Sequence, residues 1–82
     1  MGAIEKALEK MRAGTGPQSF EEVKKVCDHF FGAPRTRGSH VIYRMPWQGD
    51  PRINIQNRHG EVAPYQVKQV LKAIERLEEE HA

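Results

Sequence analysis

Pro34-Arg35-Thr36-Arg37-Gly38-Ser39-His40-Val41-Ile42-Tyr43-Arg44-Met45 carries the pattern on which the fold turns. From His40 onward the residues alternate, with Val41, Tyr43 and Met45 on one face of an extended chain and His40, Ile42 and Arg44 on the other. Successive side chains of a β-strand point to opposite sides, so this spacing predicts a strand with one buried face. Gly38-Ser39 reads as a tight turn before it. Residues 34–37 make a short edge strand, with Pro34 at its start, where the missing N–H does little harm. Beyond Met45, Pro46-Trp47-Gln48-Gly49-Asp50-Pro51 reads as the loop between hairpin strands. Arg52 to Gln56 then alternates again, with Ile53 and Ile55 facing one way and Arg52, Asn54 and Gln56 the other.

Helical patterns lie on either side of these strands. Ser19-Phe20-Glu21-Glu22 has the form of a capping box, Ser19 at the N-cap and Glu22 three residues on. The helix it opens places Phe20, Val23, Val26, Cys27, Phe30 and Phe31 on one broad face and stops at Gly32, before Pro34. Ile4, Ala7, Leu8 and Met11 predict a shorter amphipathic helix over residues 3–12. Ala13-Gly14-Thr15-Gly16-Pro17 breaks it with linker chemistry. Pro64 suits the first turn of a last helix, whose core stripe is Val67, Val70, Leu71, Ile74 and Leu77. Glu78-Glu79-Glu80 sets negative charge at that helix's negative end, which favours fraying there. The order helix, helix, three antiparallel strands, helix is an α+β fold. Residues 1–16 are expected to form an N-terminal helix and linker, and residues 17–82 the α+β domain proper. Val41, Tyr43, Ile53 and Ile55 should meet the helices, which leaves His40, Arg44, Arg52, Asn54 and Gln56 on an open face together with Ile42. An apolar side chain in that setting suggests a partner's footprint.

At 82 residues, the chain has room for one domain with a modest core. Its charge is unevenly spread. Residues 1–33 balance five cations with five anions, residues 61–82 are acidic, and residues 34–60 hold Arg35, Arg37, Arg44, Arg52 and Arg58 against Asp50 alone. Arginine's planar fork matches phosphate oxygens, so a basic segment between neutral and acidic ones points to a phosphate-bearing partner; a solvated strand surface is the ordinary alternative. No apolar run approaches the ~20 residues a membrane helix needs. The start, Met1-Gly2-Ala3-Ile4-Glu5-Lys6, lacks a signal peptide's hydrophobic stretch, so the cytoplasm is the expected compartment. One cysteine cannot close an internal disulfide, and Cys27, inside the apolar stripe, reads as a small buried hydrophobe and not as a nucleophile. The four histidines lack metal-ligand spacing and no carboxylate cluster accompanies them, so neither metal nor cofactor is expected.

Around Arg37-Gly38-Ser39-His40-Val41-Ile42-Tyr43-Arg44 the chain resembles the HicA toxins, also called the YcfA-like family. Those chains run from a helix to a basic residue, Gly-Ser-His, a strand with an aromatic near its middle, a hairpin and a final amphipathic helix. The resemblance covers about residues 19–77 and includes a second histidine, in Asn57-Arg58-His59-Gly60. The chain departs from the family in its added first helix, its long hairpin loop, and Val62-Ala63-Pro64-Tyr65 in place of the usual Leu-Lys-x-Gly-Thr-Leu. The resemblance implies a fold like a double-stranded-RNA-binding domain, cleavage of messenger RNA without a metal, and His40 as the catalytic residue. It also implies a HicB-type antitoxin as partner, with a homodimer or a toxin–antitoxin hetero-oligomer as the assembly.

The chemistry fits those residue types. RNA is cut when its 2′-hydroxyl attacks the neighbouring phosphorus, which requires proton transfers and stabilisation of a dianionic phosphorane. A histidine can move protons near neutrality, and arginines can hold the charge. His40 with Arg37 and Arg44 meets that requirement, while Ser39, Arg58 and His59 are further candidates for RNA contact. His59 is either a second acid–base group, a phosphate contact or a plain loop residue. His40 itself has a quieter reading, a strand-start histidine bonded to its turn. Tyr43 reads as core, His29 and His81 as surface groups, and Trp47 as either a base-stacking residue or a cover for the first helix. The rival function is a non-catalytic RNA-binding or protein-interaction module using the same basic sheet face.

Overall fold

The computed structural model describes residues 2–45 and 52–80. The chain forms α1 (Ala3–Ala13), β1 (Gln18–Ser19), α2 (Phe20–Phe31), β2 (Arg35–Arg37), β3 (His40–Arg44), β4 (Arg52–Gln56), β5 (Glu61–Val62) and α3 (Pro64–Glu80). β2, β3 and β4 make an antiparallel sheet in that order, packed on helices, so the fold is α+β as its patterning predicts. The hairpin-loop residues 46–51, with Trp47, and His81 lie outside the described residues.

The sheet's inner face is the expected one. Val41, Tyr43, Met45, Ile53 and Ile55 are buried, and with Val23, Val26, Cys27, Val67, Val70 and Ile74 they form the core. Leu71, Phe20, Phe30 and Phe31 pack against it half-buried. Burial pushes the Cys27 thiol up to about 12, with the Asp28 carboxylate adding to the effect and Lys24 opposing it. The one polar end of this face is satisfied. Tyr43 donates its hydroxyl proton to Asp28 Oδ1, and Lys24 Nζ donates to Asp28 Oδ2 at 2.9 Å. Burial first, then that hydrogen bond, holds the phenol above its ordinary pKa.

Turn chemistry sets the sheet's corners. Gly38 has φ of 57° in the two-residue turn between β2 and β3. Glycine at the first central position suits a hairpin whose turn matches the strand twist. At the N-terminus of α2, Ser19 Oγ accepts from the Glu22 N–H at 3.5 Å. Only this half of the capping box forms, because the Glu22 carboxylate pairs with Lys10 Nζ of α1 at 3.3 Å. α1 is set apart in sequence by its glycine-rich linker, yet Ala7, Leu8 and Met11 belong to the same buried cluster as α2 and α3.

β1 and β5 have no counterpart among the sequence expectations. They pair antiparallel, Gln18 with Val62 and Ser19 with Glu61, directly before α2 and α3. The Phe20 N–H donates to the Gly60 carbonyl at 2.8 Å, extending the clamp by one bond. Two residues are too few to show alternation, so periodicity has nothing to register.

Candidate functional site

The open face of the sheet is built in rows by strand register. Arg37, His40 and Gln56 are partners across the three strands, as are Arg35, Ile42 and Asn54, and Arg44 faces Arg52. In-register residues share a face, so each row carries at least one cation, central β3 carries His40 and Ile42, and β4 carries the amides Asn54 and Gln56. Arg35, Arg37, Arg44 and Arg52 are exposed, whereas His40, Ile42, Asn54 and Gln56 are half-buried between them. A hollow of about 580 Å³ opens on this face, lined by Arg35, Arg37, Arg44 and Arg52 with Ile42, Ala33 and Pro34. Four guanidinium groups around a concave surface favour a polyanion.

His40 begins β3, and its ring Nδ1 lies 3.2 Å from Asn54 Oδ1 on β4. The contact is diagonal: Asn54 is the register partner of Ile42, two residues along from His40's own partner Gln56. Diagonal neighbours on one sheet face lie within reach of such side chains. No described residue hydrogen-bonds His40 Nε2. The histidine contacts β4, not the turn that its quieter reading names.

The turn is nonetheless tied to the second histidine's loop. Asn57 donates its N–H to the Ser39 carbonyl at 3.0 Å, which seats residues 57–60 beside Gly38-Ser39-His40. Arg58 and Glu61 exchange two backbone hydrogen bonds, at 2.9 and 3.0 Å, around His59-Gly60. His59 at φ 52° and Gly60 at φ 85° supply the two left-handed residues such a tight hairpin needs. Asn57 Oδ1 accepts from the Gly60 N–H at 2.7 Å and locks the loop.

Of the residues singled out by sequence, Arg37 and His40 stand side by side, and Ser39, Arg58 and His59 flank them through the Asn57 contact. Arg44 lies four residues further along β3, roughly 13 Å at strand rise, and faces Arg52 instead. Arg35 and Arg52, members of the basic segment outside the RNA-contact candidates, line the hollow, and Asn54, expected on the open face, reaches the His40 ring. Hairpin register is what brings these together. Among the described residues no group of three or more His, Cys, Asp or Glu side chains is placed to hold a metal ion. No helix there is long and apolar enough to cross a membrane.

No family model, curated protein or solved structure matches the chain.

Proposed function

We propose that this chain is a cytoplasmic messenger-RNA endoribonuclease of the HicA toxin type, with His40 as catalytic residue. The observation that carries this reading is the row Arg37–His40–Gln56 at the margin of the four-arginine hollow. It sets a titratable imidazole, a permanent cation and an amide on one accessible surface. The order α2, three antiparallel strands, α3 agrees with a double-stranded-RNA-binding-like arrangement. In the proposed reaction the 2′-oxygen bonds to phosphorus and the P–O5′ bond breaks, leaving a 2′,3′-cyclic phosphate and a 5′-hydroxyl. His40 moves protons at the attacking or leaving oxygen. Arg37 stabilises charge on the phosphorane, while Arg44 and Arg52 hold flanking phosphates, with Ser39, Arg58 and His59 at the other end. No step requires a metal or cofactor.

The test is RNA cleavage in excess chelator, beside growth on expression of the protein alone. His40→Ala should remove both growth arrest and cleavage, a loss of about 10²–10⁴-fold, because one placed acid–base group is worth that much. A well-folded His40→Ala variant that still arrests growth overturns the assignment. The second reading, a non-catalytic binding module, is favoured by one observation: His40 does not line the hollow. It requires His40→Ala to bind and act as wild type does. The same face, with Ile42 at its centre, is the proposed seat of a HicB-type antitoxin. Ile42→Asp should weaken that complex more than cleavage, since an interface carboxylate without a partner is costly; unchanged affinity would place the antitoxin elsewhere.

A further inference from the structure

We infer that Asn54 is a positioning residue that holds neutral His40 in the tautomer with its proton on Nδ1, so that Nε2 presents its lone pair to the open face. This rests on the proposed role of His40 and assigns which ring nitrogen works and what keeps it ready. An amide oxygen only accepts hydrogen bonds, so Asn54 Oδ1 at 3.2 Å from Nδ1 requires that nitrogen to be the donor. A neutral imidazole carries one N–H, and a fixed Nδ1–H leaves Nε2 as the acceptor. With no described residue bonded to it, Nε2 is available to a substrate hydroxyl.

Register makes the contact durable. Asn54 sits in β4 between Ile53 and Ile55, both anchored in the core, so its backbone cannot slide without exposing them. His40 is held between Arg37 on β2 and Gln56 on β4, and Arg37 is the one charged residue in its row. An amide oxygen on Nδ1 orients the ring without adding charge of its own. The arrangement therefore leaves Nε2 as the acceptor, and Asn54 orients the ring without ionising.

The experiment pairs nitrogen NMR of the His40 ring with cleavage kinetics across pH, in wild type, Asn54→Ala and Asn54→Asp. In wild type the neutral ring should carry its proton on Nδ1; in Asn54→Ala the proton should redistribute toward Nε2. Cleavage by Asn54→Ala should fall about 10–100-fold in kcat with KM nearly constant, the size usual for loss of a group that orients a working imidazole. Asn54→Asp should keep the Nδ1 proton and shift the acidic limb of the pH profile upward by about one unit, since a carboxylate stabilises the imidazolium. A wild-type ring protonated on Nε2, or a pH profile identical in wild type and Asn54→Asp, overturns the inference. The NMR arm needs no activity. If wild type cleaves nothing while the ring behaves as expected, the ribonuclease reading fails and the tautomer assignment stands. If wild type cleaves RNA with its ring protonated on Nε2, the reverse holds.

Discussion

Cys27 shows how far burial, more than its charged neighbours, governs a side chain here. In the unfolded chain its thiol ionises near 9.0, but in the fold it stays protonated to about 12. Below 9 both states carry the proton and stability is unaffected; between 9 and 12 only the unfolded state gives it up, so stability falls with rising pH across that window. Urea melts at pH 8 and pH 10.5 should show this loss, and Cys27→Ala should lose less over the same interval. Alkylating reagents should leave the native thiol untouched at neutral pH. His59 offers the opposite case, a residue under strain. Its left-handed backbone disfavours any side chain with a Cβ, so His59→Gly should stabilise the fold by about 1 kcal/mol in urea while weakening the proposed RNA binding. A loss of both would show that the imidazole holds the turn. Single residues were legible where burial decides them: Cys27 and Tyr43 fall in their stripes. Asp28, the acceptor for Tyr43, was not, because a helix-surface carboxylate carries no mark of the strand that will reach it.

Among the elements, α1 departs most from what its linker suggests. Gly14-Thr15-Gly16 separates it in sequence, but its inner side chains complete the core, with Met11 only 2% exposed. Met11→Ala should therefore cost about 2–5 kcal/mol, the range for truncating a buried methionine. A small domain holds only some 5–15 kcal/mol in total, so a chain begun at Pro17 should fold weakly or not at all. Chemical denaturation of the two variants checks this; a Pro17 chain as stable as the full one would make α1 an ornament. The strands and helices with periodic stripes were legible because one buried face imposes the period. β1, β5 and the Arg58–Glu61 hairpin were not, since they are held by backbone hydrogen bonds that leave no pattern in side-chain type. Gln66 belongs with them: its side-chain oxygen accepts the Gln56 N–H at 2.9 Å, a buried task that its place among apolar neighbours does not announce.

For the molecule as a whole, cations gather on one surface. The open face gathers Arg35, Arg37, Arg44 and Arg52 around one hollow. Polyanion affinity should fall steeply with salt, and the slope should flatten by about one for each of Arg35→Ala and Arg37→Ala, since each phosphate contact releases a counterion. Filter binding over a salt series reads it; an unchanged slope would remove those arginines from the proposed RNA path. The basic segment was legible from composition, but the hollow was not, because it exists only once the hairpin register sets Arg44 against Arg52. One further consequence follows from β2, exposed at all three residues and forming one edge of the sheet. A second copy laid antiparallel along that edge about Thr36 would bring Arg35 against Arg37 of the other molecule. Sheets with open edges tend to grow into aggregates, and like charges set face to face are the usual guard. The far edge is stopped by a side chain, Gln66 on the Gln56 N–H, and the near one by repulsion. Because arginine stays protonated at any pH a cell meets, that guard against fibre growth never switches off.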